Sequence, residues 1–293
     1  MSSPEIPQPQ PHASNTPEPP TLDANGSEST FPGTVLPPSP PPPPPAENPV
    51  WNGWDVLLII GLTFATIFVS QFAILFGAHY FFYPHSSLME LSQRPLLLLI
   101  SQYVIDLAVV IYLLFLIEGK YRVPFGSAIR WSWPKNAWGL LLLGAFMLLV
   151  LSLLENLLPM PKDTPFDKLF ARPRDAYLIA IIAVSLGPLV EELFFRGFLY
   201  PVLARRWGVA CAISLTALPF ALMHMPQYGY AWGALAVIFI VGVVCGTVRA
   251  VTKSVGASFL VHVGYNGVQM IIALFVTRGF THMPKALAAL LLQ

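Results

Sequence analysis

The chain has 293 residues, of which 55% are apolar and 11% are charged, and its mean hydropathy is +0.63. A soluble domain has roughly 25% charged residues, so this composition excludes an ordinary soluble enzyme and indicates a polytopic membrane protein. The net charge of +1 lacks the basic excess that is typical of nucleic-acid-binding proteins, so we expect no nucleic-acid partner.

The first 50 residues differ from the rest of the chain. They hold 17 of the 30 prolines, including the run from Pro40 to Pro45, and no lysine or arginine. Such a segment buries too little apolar surface to offset its conformational entropy, so we predict a disordered proline-rich tail over residues 1–50. The proline run is expected to form an extended polyproline II helix, which acts either as a spacer or as a ligand for a proline-binding partner.

Residues 51–293 form the predicted membrane domain. A spanning helix needs about 20 apolar residues. The hydropathy pattern predicts an all-α transmembrane bundle of about seven spans, over residues 54–82, 95–117, 137–158, 175–204, 209–225, 231–250 and 254–277. Residues 284–293 are too few to span. The chain is therefore predicted to be a multi-pass integral membrane protein, in the plasma or inner membrane if its source is bacterial.

The orientation of the bundle depends on the charges of its loops. Lysine and arginine are divided almost evenly between the two sides. Acids offset the basic residues on the side away from the tail, namely Asp163, Asp167 and Asp175. The positive-inside rule then favours a cytoplasmic N-terminus.

Ionisable residues inside spans are costly in lipid and usually face the bundle interior. The densest cluster is the segment GPLVEELFFRG, residues 187–197, in the fourth predicted span. Glu192 and Arg196 are four residues apart and share a helix face, so they can form an ion pair. Glu191 points about 100° away from Glu192. We therefore predict that Glu191 is the reactive carboxylate, with Glu192 and Arg196 as supporting groups.

Two histidines and an asparagine occupy other predicted spans. His224 lies in the fifth, and His262 and Asn266 lie four residues apart in the seventh. At about 1.5 Å per residue these three residues and Glu191 lie about 12–24 Å into a core about 30 Å thick, so we expect them to meet. The single acids of the second and third spans are interpreted as structural: Asp106 and Glu155.

This set of side chains suits hydrolysis. A carboxylate and an imidazole that share a water act as a general base, and a second imidazole with an amide can stabilise an oxyanion. A zinc ion held by Glu191, His224 and His262 is the other way to activate water. The motifs H-E-x-x-H and G-x-S-x-G are absent from the sequence. A polar cluster at mid-membrane also suits a transporter, so the residues alone leave both functions open.

The ordered motifs resemble a known family. Glu-Glu-x-x-x-Arg at residues 191–196, Phe-x-x-x-His at 220–224 and His-x-x-x-Asn at 262–266 are similar to those of the CAAX-protease and bacteriocin-processing family, also called CPBP or Abi. The resemblance covers about residues 175–270 and includes type II CAAX prenyl endopeptidases. It implies an all-helical bundle, a cavity open to the cytosolic side, and endopeptidase activity on membrane-associated protein or peptide substrates.

The resemblance also implies roles for the site residues. Glu191 and His224 would activate water, and His262 and Asn266 would stabilise the oxyanion. Members are commonly labelled metalloproteases, yet a metal-free, glutamate-dependent mechanism is also argued, so a zinc cofactor stays open. Substrate prenylation stays open as well, and bacteriocin maturation or processing of a membrane regulator belong to the same class of function. The alternative is a catalytically silent scaffold or a bacteriocin self-immunity protein of the same fold.

Overall fold

The computed structural model describes residues 47–160, 164–165, 167–170 and 172–282. Most of the predicted tail, including the proline run, lies outside the described residues, and so does the C-terminal segment 284–293. The described residues form helices, turns and loops without β-strands, which confirms the predicted all-α membrane fold.

Helices α1 to α11 follow one another along the described chain. Their bounds are α1 Gly53–Phe81, α2 Leu88–Ser92, α3 Pro95–Leu114, α4 Phe125–Ala128, α5 Ala137–Glu155, α6 Pro173–Val184, α7 Leu186–Glu192, α8 Tyr200–Trp207, α9 Val209–Leu222, α10 Trp232–Thr252 and α11 Val255–Val276. Two π-helical segments and one 3-10 turn join them: Phe115–Lys120, Leu193–Leu199 and Asp167–Phe170.

The described residues contain six helices that are long and apolar enough to cross a membrane, one fewer than the sequence predicted. They are Gly53–Phe81, Pro95–Lys120, Ala137–Glu155, Pro173–Trp207, Trp232–Thr252 and Val255–Val276. The predicted fifth span, 209–225, is the 14-residue helix α9, whose length of about 21 Å falls short of a hydrocarbon core about 30 Å thick. Helix α9 contains Pro219 and passes into turns after Leu222, so it ends early.

The fourth span is interrupted where its acidic cluster lies. Helix α6 ends at Val184, Ser185 follows with a distorted backbone (φ −118°, ψ −78°), and α7 starts at Leu186. Pro188 cannot donate a backbone hydrogen bond to the preceding turn, which accounts for the break. Glu191 and Glu192 then close α7, directly before the π-helical segment Leu193–Leu199. Short π-helical segments within α-helices occur often at functional sites.

Small residues let the helices around this span approach closely. A Cβ atom added at Gly144 of α5 would clash with the backbone of α11 at Val261, and one added at Gly264 of α11 would clash with Leu141. Small residues commonly mediate helix packing in membranes. This packing holds α11, which carries His262, close against α5.

An N-terminal anchor, which we define as residues 47–51, packs against the helices that follow it. Trp51 is fully buried, stacks on Phe198 with 5.3 Å between ring centroids, and donates from Nε1 to the Phe198 carbonyl at 2.9 Å. The guanidinium of Arg205 donates to the carbonyls of Pro49 and Trp51 at 2.9 and 3.2 Å. Residues 47–50, which the sequence assigned to the tail, therefore contact the helical bundle.

The anchor also supplies a buried carboxylate. Glu47 is 6% exposed, and its Oε1 accepts hydrogen bonds from Arg249 and Arg130, each at 3.1 Å. Arg249 is 1% exposed and donates from Nε to the carbonyl of Arg196 at 3.2 Å. The anchor is thus linked through one arginine to the backbone of the fourth span, close to its acidic cluster.

Removing the Glu47 carboxylate should destabilise the bundle. Glu47→Ala leaves Arg249 charged and buried without its partner, which costs about 3–5 kcal/mol. Arg130→Ala is the matched control, because the Arg130 side chain is 30% exposed and Glu47 keeps Arg249. We expect thermal unfolding in detergent to show a clear loss for Glu47→Ala and a small one for Arg130→Ala. Equal melting temperatures for wild type and Glu47→Ala would contradict this role of the anchor.

Candidate active site

The four residues predicted to be catalytic line one cavity. Its volume is about 500 Å³, and its wall includes Glu191, His224, His262 and Asn266. Helices α3, α6, α7, α10 and α11 contribute to the wall, together with the end of α9 and the turns that follow it. The structure therefore brings together residues that lie up to 75 positions apart in sequence (Glu191 and Asn266).

Glu191 lies between the two imidazoles. Its Oε1 is 3.9 Å from Nε2 of His224, and its Oε2 is 3.7 Å from Nε2 of His262. Both separations exceed direct hydrogen-bond length. The Glu191 side chain is 20% exposed, so the carboxylate faces the cavity. Glu191 is therefore the group on which the two imidazoles converge.

The ring orientation of His224 is fixed by its own helix. Its Nδ1 lies 2.7 Å from the carbonyl of Phe220, one turn earlier. A carbonyl only accepts hydrogen bonds, so Nδ1 carries a proton, and Nε2 of the neutral ring is an acceptor that faces Glu191. Phe220 also contacts both histidine rings, with centroid distances of 5.0 Å to His224 and 5.7 Å to His262. The Phe-x-x-x-His motif thus positions both imidazoles.

Glu192 is the centre of a buried polar network. Its Oε1 accepts from Arg196 at 2.8 Å and from Nδ1 of His262 at 3.0 Å, and its Oε2 accepts from Ser258 at 2.5 Å. Glu192 and Arg196 are both fully buried. Arg196 also donates to the carbonyl of Gly242 at 2.8 Å, which ties the pair to α10. Glu192 fixes the His262 ring so that Nε2 points to Glu191.

Asn266 lies beside the break in the fourth span. Its Nδ2 donates to the carbonyl of Ala183 at 2.8 Å, in the last turn of α6. An amide nitrogen carries two hydrogens, so Asn266 keeps one further N–H. The Ala183 carbonyl, just before the interruption at Ser185, thus holds the asparagine side chain at the cavity wall.

The predicted metal set has the right chemistry but not the geometry of a closed zinc site. Carboxylate oxygen and imidazole nitrogen are ligands of zinc, and bonds of about 2.0–2.2 Å place tetrahedral ligand atoms roughly 3.4 Å apart. Among the described residues, Glu191, His224 and His262 do not form a group whose ligand atoms all lie within 4.8 Å of one another. In this arrangement the three residues do not fit a zinc ion.

A different set of residues has ligand atoms that all lie within 4.8 Å of one another. Its members are Glu192, Cys245 and His262, all buried. The oxygens of Glu192 already accept hydrogen bonds from His262, Ser258 and Arg196. A metal there would have to displace charged and hydrogen-bonded partners inside the protein. We therefore interpret this set as part of the buried polar network.

Comparison with known protein families identifies the family of one part of the bundle. Residues 173–268 match the family model described as type II CAAX prenyl endopeptidase Rce1-like. Residues 173–268 form a domain of this family. The match confirms the family predicted from the motifs, and it includes Glu191, His224, His262 and Asn266. No curated protein and no solved structure matches the chain.

The family domain begins at the first residue of α6 and ends within α11. Helices α1 to α5 precede the matched residues, yet α3 supplies one wall of the cavity through Leu98, Leu99, Gln102 and Asp106. The cavity is therefore completed by a helix that lies outside the matched domain.

Two polar residues lie near the site although the sequence did not predict them there. Ser258 donates to Glu192, and Asp106, interpreted as structural, lines the cavity. A signal for Asp106 was present, because Gln102 lies four residues earlier on the same helix face and donates to its Oδ1 at 2.8 Å. Ser258 offered no such signal, since serine is common in membrane helices.

Proposed function

We propose that the chain is an intramembrane endopeptidase that hydrolyses peptide bonds of membrane-associated protein substrates with water activated by Glu191 and His224. The single observation that carries the proposal is the convergence of two imidazole Nε2 atoms on the Glu191 carboxylate, at 3.7 and 3.9 Å, inside a cavity between membrane-spanning helices. The family to which residues 173–268 belong is a protease family, which supports the same chemistry.

The geometry suits one water between Glu191 and His224. Oε1 of Glu191 and Nε2 of His224 are 3.9 Å apart, a separation at which a bridging water is expected. Both atoms accept hydrogen bonds when His224 carries its proton on Nδ1. The water then donates one hydrogen to each, and its free lone pair is directed at the substrate carbonyl. Glu191 takes a proton as the oxygen attacks the carbon.

His262 and Asn266 supply donors for the charge that develops on the carbonyl oxygen. Asn266 has one N–H left after its bond to Ala183. His262 is held through Nδ1 by Glu192, and its Nε2 is the second donor when that nitrogen carries a proton. Donors that are held in place before the reaction stabilise an oxyanion without reorganisation.

Collapse of the tetrahedral intermediate completes the reaction. The proton that Glu191 took from water passes to the amide nitrogen as the carbon–nitrogen bond breaks. The products are a carboxylic acid that contains the water oxygen and an amine that carries the transferred proton. Glu191 returns to its ionised state, so the cycle needs no covalent enzyme intermediate.

The proposal is tested by comparing N-termini of membrane proteins in cells that carry wild-type protein or Glu191→Gln at matched abundance. New N-termini found only with wild type, and reproduced by purified protein, support an endopeptidase and identify its substrates. Identical profiles, in cells where deletion of the gene gives a phenotype, favour the catalytically silent scaffold instead.

Asn266→Ala should slow the chemical step without weakening substrate binding. Loss of one oxyanion donor lowers kcat about 10²–10³-fold. KM should stay within about threefold, because the donor acts mainly in the transition state. The matched control is Asn156→Ala at the residue that follows α5, which removes an exposed amide that donates to the Ser152 carbonyl, away from the cavity. A rise in KM with unchanged kcat for Asn266→Ala would place the asparagine in ground-state binding.

Metal chelators should leave the activity of the purified protein intact. The ligand atoms of Glu191, His224 and His262 do not all lie within 4.8 Å of one another, so the three residues do not surround a zinc position. We expect dialysis against EDTA and then 1,10-phenanthroline to change kcat by less than about twofold, since activation by Glu191 needs no metal. Loss of activity that added zinc restores would show instead that these residues close around a metal.

A further inference from the structure

We propose that Asp106 forms a binding subsite for a basic side chain of the substrate, and that it selects substrates with lysine or arginine close to the cleaved bond. This inference rests on the proposed endopeptidase function and deepens it. Asp106 belongs to α3 and lines the same cavity as Glu191. It lies outside the family domain of residues 173–268.

One oxygen of Asp106 is held and the other is free. Oδ1 accepts a hydrogen bond from Nε2 of Gln102 at 2.8 Å. Oδ2 is buried and has no hydrogen-bond partner in the part of the chain that the structure describes, and the residue is only 5% exposed. A buried acceptor without a donor costs free energy, so a ligand that supplies a donor is bound favourably. Gln102 keeps the carboxylate from rotating freely and so positions Oδ2.

The charge of the cavity wall favours a cation. Glu191 and Asp106 are the acids among the described residues that line the cavity, and no lysine or arginine is among those residues. The histidines at the wall, His224 and His262, are each directed at Glu191 rather than at Asp106. Among the described residues Asp106 therefore has no cationic partner, unlike Glu192, which is paired with Arg196.

The position of Asp106 within the membrane strengthens its preference for a cationic ligand. Asp106 lies near the middle of the span Pro95–Lys120, and Glu191 near the middle of Pro173–Trp207. Charged residues at such depths usually pair with one another. A site built to hydrogen-bond a substrate group discriminates strongly against an analogue that lacks the group. A lysine or arginine on the substrate supplies both the charge and the N–H donor.

The size of the cavity places the basic residue close to the cleaved bond. An extended peptide spans at most about 3.5 Å per residue, so a cavity of this volume takes roughly two or three residues. Asp106 and Glu191 border this one space of about 500 Å³. The side chain that Asp106 binds therefore belongs to a residue within about two positions of the bond that Glu191 attacks.

The test uses internally quenched apolar peptides that differ in one residue, lysine or its neutral analogue norleucine. The residue is moved in turn from two positions before the cleaved bond to two positions after it. At one position wild-type protein should prefer lysine by at least about 100-fold in kcat/KM. Asp106→Asn should reduce that preference below about tenfold by a loss on the lysine peptide alone.

Two variants serve as controls. Asp106→Glu keeps the carboxylate and should keep most of the lysine preference. Glu155→Gln changes a buried acid that is 3% exposed, has no hydrogen-bond partner among the described residues and does not line the cavity. Glu155→Gln should leave the preference unchanged. If Asp106→Asn does not fold, Gln102→Met provides the comparison, and it should lower kcat/KM for the lysine peptide more than for the norleucine peptide.

Three outcomes overturn the inference: no lysine preference in wild type, an unchanged preference in Asp106→Asn, or equal losses on both peptides. If wild type cleaves neither peptide, the proposed function fails, and the subsite is then judged by binding of the same peptides, read by fluorescence anisotropy. Tighter binding of the lysine peptide that depends on Asp106 supports the subsite even then. Equal binding of the two peptides rejects it.

Discussion

Glu191→Gln should abolish peptide hydrolysis while leaving the protein folded. The amide has nearly the shape of the carboxylate but cannot accept the proton of the attacking water, and loss of a general base costs roughly 10²–10⁴-fold in rate. Glu191 is 20% exposed, and its nearest imidazole nitrogens are 3.7 and 3.9 Å away, so its neutralisation breaks no short hydrogen bond to them. We expect kcat/KM to fall by about 10³-fold and the melting temperature to stay close to that of wild type.

The control for this variant is Glu155→Gln. It neutralises an acid that also lies in a membrane-spanning helix but is only 3% exposed and does not border the cavity. Its kcat/KM should match that of wild type within about twofold. Full activity in Glu191→Gln would remove the carboxylate from the mechanism, and equal losses in the two variants would point to a general effect of buried acids on the bundle.

Glu192→Gln should have the opposite profile, with a large loss of stability. Glu192 accepts hydrogen bonds from Arg196, His262 and Ser258, and it is fully buried. Its neutralisation leaves the Arg196 guanidinium, also fully buried, without its ionic partner. Breaking a buried ion pair costs about 3–5 kcal/mol. Thermal or denaturant unfolding in detergent should therefore separate Glu192→Gln clearly from Glu191→Gln.

A double variant separates the structural role of this pair from its effect on the site. Replacing a buried ion pair by apolar residues of similar size is often neutral. Glu192→Leu with Arg196→Met should therefore recover much of the stability lost in Glu192→Gln. Activity should remain low, because His262 has lost the carboxylate that holds Nδ1. Comparable stability for wild type, Glu192→Gln and Glu191→Gln would contradict the division between support and chemistry.

Most of the spanning helices could be predicted because a spanning helix is apolar along its whole length. Long apolar stretches predicted the spanning helices, and the exception, α9, follows from a local cause at Pro219 that an average over many residues obscures. The spacing of Glu192 and Arg196 predicted their ion pair, which forms at 2.8 Å. Regular spacing along one helix is information that the sequence contains.

Contacts between distant helices were harder to predict. The cavity wall from α3, with Asp106, depends on how that helix packs against the family domain, and no periodic pattern encodes this contact. Glu47 lies in a proline-rich, polar context that predicts disorder, yet it is bound by Arg249 from α10. Trp51, which directly follows this polar segment, is fully buried beside Phe198 and packs the anchor against the bundle.

The most direct test of the account asks whether Glu191 and His224 act on the same water. The kcat of Glu191→Gln, of His224→Ala and of the double variant should be measured on one peptide, with wild type as reference. Residues that act as a unit are strongly non-additive in their effects on rate. If they share one water, the double variant should be no slower than the slower single variant, within about threefold. Losses that multiply in the double variant would show that the two side chains act in separate steps and would contradict the shared-water mechanism.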